Sequence, residues 1–469
     1  MLRFCFGPSG AGKSTGLYSE IIEQSLREPE TDHLILVPDQ YTMQVQRDVV
    51  RLHPHHLITN IDVLSFSRLT HRIFDEVGAP DVPILDDLGK TLILRHVAEE
   101  ISGELPIIGR RLSSPGFIDE MKSILSEFLQ YRIRPDDLDI LMEACTLQGR
   151  LRARLGDLKR VYQAFEETIR NRYVTAEGTM EILSEKIGRS ELIRDAVIVF
   201  DGFTGFTPIQ YQVLSSILQV ARSVTISLLM DPAEDPYGWK RGDGSVFALS
   251  RKTVADLLAL PCSGEPHKIS DDIFIKERPV ARLRDNPPLA FLEQKIWRDD
   301  TAVYPEETGD AIRLFAAEDP VEECRACCRE IRRRLRKEEQ LRYGDIAILC
   351  TDMAHYSDLL AREAERFDIP VYLDETRSVR TDPLIECVES ALEVIRAGFS
   401  QAAVLRFLRS GIPEIDPLIV DRWELYTEAL GIRGRKRFEQ RFLRTAWRGR
   451  PEEEQALLLT EAFRLDRCR

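Results

Sequence analysis

Residues 7–15 read GPSGAGKST, which sets Gly7, Gly12, Lys13 and Ser14 in register with the phosphate-cradling pattern G-x-x-x-x-G-K-[ST]. The chemistry explains the spelling. Small residues let backbone N–H groups curl around a β-phosphate, the lysine ammonium reaches the β/γ oxygens, and the serine hydroxyl ligates Mg²⁺. The candidate ATP contacts are therefore Gly7, Pro8, Ser9, Gly10, Ala11, Gly12, Lys13, Ser14 and Thr15, with Ser14 as one Mg²⁺ ligand. A second ligand is expected from an aspartate at the end of a neighbouring strand, usually followed by a glutamate that polarises the attacking water. Asp201 fits the first role, since it closes the apolar run AVIVFD at 196–201. The residue after it is Gly202, which has no side chain to polarise anything.

These groups need a scaffold, and the hydrophobic pattern supplies one. The run at 2–6 reads as a buried strand into the loop, and 15–24 has helical spacing with Leu17, Ile21 and Ile22 on one side. Further apolar strands are expected at 33–38, 62–66, 196–201 and 223–230. Their alternation with helices predicts an α/β fold with a parallel, doubly wound sheet. Residues 86–189, almost without strand signals, read as a helical insertion that divides the first domain into 1–85 and 190–260. The proline-rich stretch 261–305 reads as a linker. A second α/β block at 306–380 is expected from strands at 311–315 (AIRLF), 345–350 (DIAILC) and 370–373 (PVYL). A helical, basic region then runs over 381–469.

Composition narrows the class. With 469 residues, 43% hydrophobic and 30% charged, the chain is long enough for several cored domains. No stretch approaches the roughly 18 apolar residues of a membrane span, and the first residues enter a strand without a signal-like segment, so the expectation is a cytoplasmic protein with no membrane contact. The net charge of −14 argues against a surface that binds nucleic acid everywhere, but allows a local basic channel. One such stretch is 431–450, where arginines interleave with Phe438, Phe442 and Trp447; a solvated helix face is the alternative. Nine cysteines are scattered, and Cys324, Cys327 and Cys328 sit in a helical pattern without a second pair at zinc spacing, which favours packing over metal. The HPHH at 53–56 reads as a surface loop.

An ordered series of segments makes a family resemblance specific. GPSGAGKST is followed by VPDQYTMQVQ (37–46), VLSFSRLTHRIF (63–74), DGFTGFTPIQ (201–210), DIAILCTDMAHYSDLL (345–360), IPVYLDETRSVRTDPLIE (369–386) and LGIRGRKRF (430–438). Together they resemble the N-terminal part of the AddB family, the second subunit of bacterial AddAB helicase-nucleases that process double-strand DNA ends. The resemblance implies two RecA-like parallel-sheet P-loop domains of superfamily 1 helicase type, with helical insertions. It also implies an AddA-like partner that supplies the active motor, and a subunit that holds single-stranded DNA and inspects it for the hotspot sequence Chi in double-strand break repair by homologous recombination. In superfamily 1 folds the loops after the second and third strands face DNA; here they carry Gln40, Thr42, Phe66, Ser67 and Arg68, residue types suited to stacking, base edges and phosphate, the alternative being that Phe66 and its neighbours pack the sheet edge.

Departures from the family pattern carry as much information. The helicase string resembling DEFQDTSPLQ aligns with 201–210, placing Gly202 at the glutamate, Thr204 at the glutamine and Gly205 at the second aspartate. Loss of a group of that kind is worth on the order of 10²- to 10⁴-fold in rate, so ATP binding without efficient hydrolysis is expected. A second motif resembling AVLTRD has Thr351 where the family carries arginine. Family members are more than twice as long and end in a nuclease with Mg²⁺ carboxylates and a four-cysteine iron–sulfur cluster; nothing after Arg450 supplies either, so a fragment or natural truncation is expected. Two alternatives stay open: an active ATPase whose water-activating group comes from Glu322, Glu323 or another subunit, and a nucleotide-gated scaffold without DNA binding.

Overall fold

Six short apolar runs assemble into one parallel sheet, in the order β3-β2-β6-β7-β1-β8. In the computed structural model these are β1 (Leu2–Gly7), β2 (His33–Leu36), β3 (Ile61–Leu64), β6 (Val197–Phe200), β7 (Ser223–Leu229) and β8 (Ile273–Phe274). The remaining two, β4 (Ile84–Leu85) and β5 (Val174–Thr175), form a separate parallel pair. Every pairing in the large sheet is parallel, with Leu2 opposite Val224 and Leu36 opposite Phe200. The structure describes residues 1–111, 115–144, 149–261, 267–296, 298, 301–374 and 379–439.

Covered parallel sheets read as continuous apolar runs because both faces are buried, and alternate residues here separate into two cores. Phe4, Phe6, Leu34, Leu36, Ile198, Phe200, Ile226 and Leu228 face one side. They pack beneath helices α3 (Phe66–Val77), α8 (Ala176–Lys186), α9 (Pro208–Val220) and α10 (Ala248–Leu258). Cys5, Ile35, Val37, Val63 and Val199 face the other, under α1 (Lys13–Arg27) and α2 (Thr42–Leu52), which contribute Leu17, Tyr18, Ile21, Ile22, Val45 and Val49. The α9 start is written locally: Thr207 and Gln210 form a reciprocal capping box and Pro208 occupies the first turn.

The insertion is helical, comprising α4 (Asp87–Ile101), α5 (Pro115–Gln130), α6 (Asp137–Ala144) and α7 (Gly149–Ile169) around its own core of Leu94, Ile118, Met121, Leu125, Tyr162 and Phe165. The β4–β5 pair joins its entry to its exit. Residues 261–305 do more than link, because β8 inside them extends the sheet beside β1, α11 (Pro287–Lys295) follows, and Arg278 pairs with Asp231 at 2.8 Å. A two-residue strand is too short to leave a periodic signal.

The chain divides into two compact units at Arg313/Leu314. The second holds α12 (Pro320–Lys337) and α13 (Met353–Arg366) around Cys324, Cys328, Ile331, Leu360, Ala364 and Ile369, followed by α14 (Pro383–Arg396), α15 (Gln401–Leu408), α16 (Pro417–Ala429) and α17 (Arg435–Phe438). The strands expected at 311–315, 345–350 and 370–373 are not formed among the described residues. An apolar run becomes a strand only when a neighbour takes its N–H and C=O groups. Here Leu314, Leu349 and Tyr372 stand 100%, 95% and 87% exposed. Among the described residues no helix is long and apolar enough to cross a membrane.

One buried group gives the sheet unit a pH dependence. His33, 1% exposed at the start of β2, directs Nδ1 to the Thr31 carbonyl at 2.9 Å, while Nε2 is buried without a hydrogen-bond partner. Burial lowers its pKa below the ordinary 6.5. The unfolded chain therefore takes up the proton first, and stability that is full above pH 6.5 falls as pH drops below it, by at most about 1.4 kcal/mol per pH unit. Urea unfolding at pH 7.5 and 5.5 should show that loss, and His33→Gln should flatten it.

Candidate nucleotide site and nucleic-acid face

The glycine loop occupies the turn between β1 and α1. Gly10 and Gly12 take φ of +78° and +95°, backbone that L side chains rarely adopt. Gly12 caps α1 without any side-chain hydrogen bond, so the first N–H groups of the helix open toward the loop. A Cβ on Gly10 would lie 3.0 Å from the Arg282 Cβ, and the Arg282 N–H donates to the Gly10 carbonyl at 3.1 Å. Lys13 Nζ donates to the Gly7 and Pro8 carbonyls at 2.8 and 3.0 Å, and burial lowers its pKa from the usual lysine range.

Asp201 sits at the end of β6, its N–H bound to the Leu36 carbonyl at 2.9 Å and its side chain buried. Tyr18 Oη donates to Oδ2 at 2.6 Å, and Ser227 Oγ donates to Oδ1. Ser14 lines the same cavity as Tyr18 and Asp201. Ser14 and Asp201, the expected Mg²⁺ pair, thus share one pocket, and the Tyr18 hydroxyl is bonded to the aspartate. Each carboxylate oxygen thus already accepts one hydroxyl donor, an arrangement that a directly held Mg²⁺, with its near-octahedral oxygen ligation, would have to share or displace.

Ser14, Thr15, Tyr18, Tyr41, Asp201, Gly202 and Arg282 line a cavity of about 630 Å³. Gly202 has φ +79°, and a Cβ there would meet only Pro38 Cδ at 3.5 Å and Tyr41 Cδ2 at 4.0 Å. The position has room for a side chain but the wrong backbone for one. One further carboxylate, Asp48 of α2, lines the same cavity. Its oxygens accept from Gln44 Nε2 at 3.2 and 3.1 Å, and Arg51 stands 3.8 Å away. In the second unit Glu322 binds Arg325 at 2.8 Å as well as Arg329, and Glu323 accepts from the Tyr356 hydroxyl at 2.7 Å.

The five candidate DNA residues separate by burial. Gln40, Ser67 and Arg68 are exposed beyond β2 and β3. Thr42 is buried, its hydroxyl bound to the Asp39 carbonyl at 3.1 Å. Phe66 opens α3 rather than ending a strand, and its ring packs against Phe200, Phe203 and Phe206 with no face open to a base. Sequence reasoning misses Tyr41, the accessible aromatic beside Gln40, which is 47% exposed. It also misses Tyr18, although that residue stands one helical turn after Ser14, where its hydroxyl returns over the loop. Arg282 is remote in sequence and leaves no local signal.

Cys324 and Cys328 are buried in the α12–α13 core, and among the described residues no group of histidines, cysteines and carboxylates is placed to hold a metal. Of the basic run, Arg433, Arg435, Lys436 and Arg437 are described; Arg441, Phe442, Arg444, Trp447, Arg448 and Arg450 lie outside the described residues.

A parallel α/β sheet with a glycine loop between its first strand and helix, and an aspartate at the end of a nearby strand, defines the structural class. Residues 4–293 match the family model described as "ADDB, N-terminal", and the chain belongs to that family. It is 39% identical over 446 residues to the B subunit of the ATP-dependent helicase/deoxyribonuclease of Lachnoclostridium phytofermentans, an overlap covering 94% of this chain and 38% of that protein. The proteins of the same name from Desulforamulus reducens and Moorella thermoacetica are 34% and 33% identical over 93% of this chain, and over 37% and 38% of their own lengths. The chain therefore spans less than two-fifths of the length of these relatives.

Proposed function

We propose that this chain forms the N-terminal part of the second, AddB-type subunit of an ATP-dependent helicase-nuclease, one that binds ATP and single-stranded DNA while a separate AddA-like subunit drives translocation. The observation that carries the reading is Gly202: the residues of the phosphate-loop pattern are all present, yet the position after Asp201 has no carboxylate and a left-handed backbone. Lys13, the loop N–H groups and Arg282 are the phosphate contacts. Gln40, Tyr41, Ser67 and Arg68 form the strand-contacting face, on which the Tyr41 ring stacks a base and Arg68 meets phosphate. Inspection for Chi during double-strand break repair, in the cytoplasm, completes the reading. The β1–β8 sheet serves as the first of two RecA-like domains, and an iron–sulfur cluster belongs to the longer family members.

Asp48 favours a second reading, an active ATPase, because it is a carboxylate in the same cavity as Ser14 and Asp201. One experiment separates the two. ATP binding and DNA-stimulated turnover are measured for this chain and for Lys13→Ala and Asp48→Asn. The silent-motor reading expects Lys13→Ala to weaken ATP binding about 10- to 100-fold, roughly 1.4–2.7 kcal/mol, with turnover staying below about 1 s⁻¹ throughout. Faster turnover that both substitutions abolish would establish the active ATPase instead. ATP binding without a salt-dependent affinity for single-stranded DNA would leave only a nucleotide-gated scaffold.

A further inference from the structure

We propose that nucleotide at this loop is held without a divalent cation bound by the protein, because in the cavity it shares with Ser14 the Tyr18 hydroxyl is bonded to the Asp201 carboxylate that would face the ion. The inference rests on the nucleotide reading above and deepens it. A Mg²⁺ ion at a phosphate site is usually held by one or two carboxylates, the substrate phosphates and several retained waters. The protein groups must present free lone pairs toward the ion. Here both Asp201 oxygens already face a protein donor: Tyr18 Oη donates to Oδ2 at 2.6 Å, and Ser227 Oγ donates to Oδ1.

The phenol has no easy way out of that position. Tyr18 is 4% exposed, and its ring belongs to the core shared by α1 and the sheet, alongside Leu17, Ile21, Ile22, Ile35 and Val199. Swinging the hydroxyl aside for a hydrated ion would open that core. Charge on the phosphates is met instead by Lys13, by Arg282 and by the uncapped start of α1.

The test compares ATP and ADP affinities of the unmodified chain in Mg²⁺ and in EDTA by calorimetry, then repeats the pair with Tyr18→Phe and Ser227→Ala. Affinities within about threefold of each other are expected for the unmodified chain, and Tyr18→Phe, which keeps the ring and frees Oδ2, should create a preference for Mg²⁺ of about tenfold. Electron paramagnetic resonance of Mn²⁺ added to the nucleotide complex should report the free aqua ion and ordinary Mn²⁺–nucleotide species, with protein ligation emerging only in the variant. Tenfold tighter binding in Mg²⁺ by the unmodified chain would overturn the inference and leave nucleotide binding standing. No binding in either buffer by a folded chain would overturn both.

Discussion

Replacing Phe66 by alanine is expected to destabilise the sheet unit by about 3–5 kcal/mol, the usual cost of emptying a buried aromatic site. The ring is 5% exposed and sits 6.0 Å from the Phe200 ring, 5.7 Å from Phe203 and 6.4 Å from Phe206, centroid to centroid. Edge-on packing of this kind adds to the area term, and the surrounding rings are too stiff to collapse into the gap. A domain's whole stability is on the order of 5–15 kcal/mol, so the loss would be plain in a urea titration. Single-strand affinity, measured where the variant is still folded, should be nearly unchanged. The exposed Tyr41→Ala is expected to behave in reverse, keeping its unfolding midpoint and losing DNA affinity. If Phe66→Ala unfolds normally and binds DNA poorly, the ring is a stacking platform and not a core residue.

That contrast marks where sequence can and cannot be read. The glycine loop, β1, α1 and the β6 aspartate are legible because each is local: a continuous apolar run, a helical spacing, or a motif whose chemistry fixes its residue types. Phe66 leaves two readings open, a stacking face or packing of the sheet edge, because its environment is not local. Phe200, Phe203 and Phe206 reach it from the far side of a long insertion, and Ser65 caps α3 one residue before it, so what looks like a strand end is a helix start. Tyr18 escapes for a related reason. As a buried residue of an amphipathic helix it reads as core, and only the meeting of the β6 end with α1 places the Asp201 carboxylate within its reach. The strands expected in the second unit show the converse limit: DIAILC and PVYL have the right composition, but strand formation is a property of pairs.

The insertion is tied to the sheet unit by a buried ion pair, and cutting it should have an effect as large as the Phe66 change. Lys90 of α4 lies 2.9 Å from both carboxylate oxygens of Glu177 in the first turn of α8, a helix whose Leu183 belongs to the sheet core. Both side chains are buried, and the remaining Lys90 partners are Ser126 Oγ at 3.2 Å and the exposed Asp87 at 3.6 Å. Glu177→Ala leaves the ammonium desolvated with one neutral acceptor and one screened charge, for an expected cost of about 3–5 kcal/mol. Replacing both partners with apolar groups of similar volume, Lys90→Met with Glu177→Leu, removes the buried charge altogether and should cost less than about 1 kcal/mol. Denaturant unfolding of the two single variants and the double one gives the coupling, and amide exchange along α4 reports whether the insertion loosens first. Additive losses in the double variant would mean that each side chain acts through packing alone; recovery would mean that compensated charge fixes how α4 meets α8.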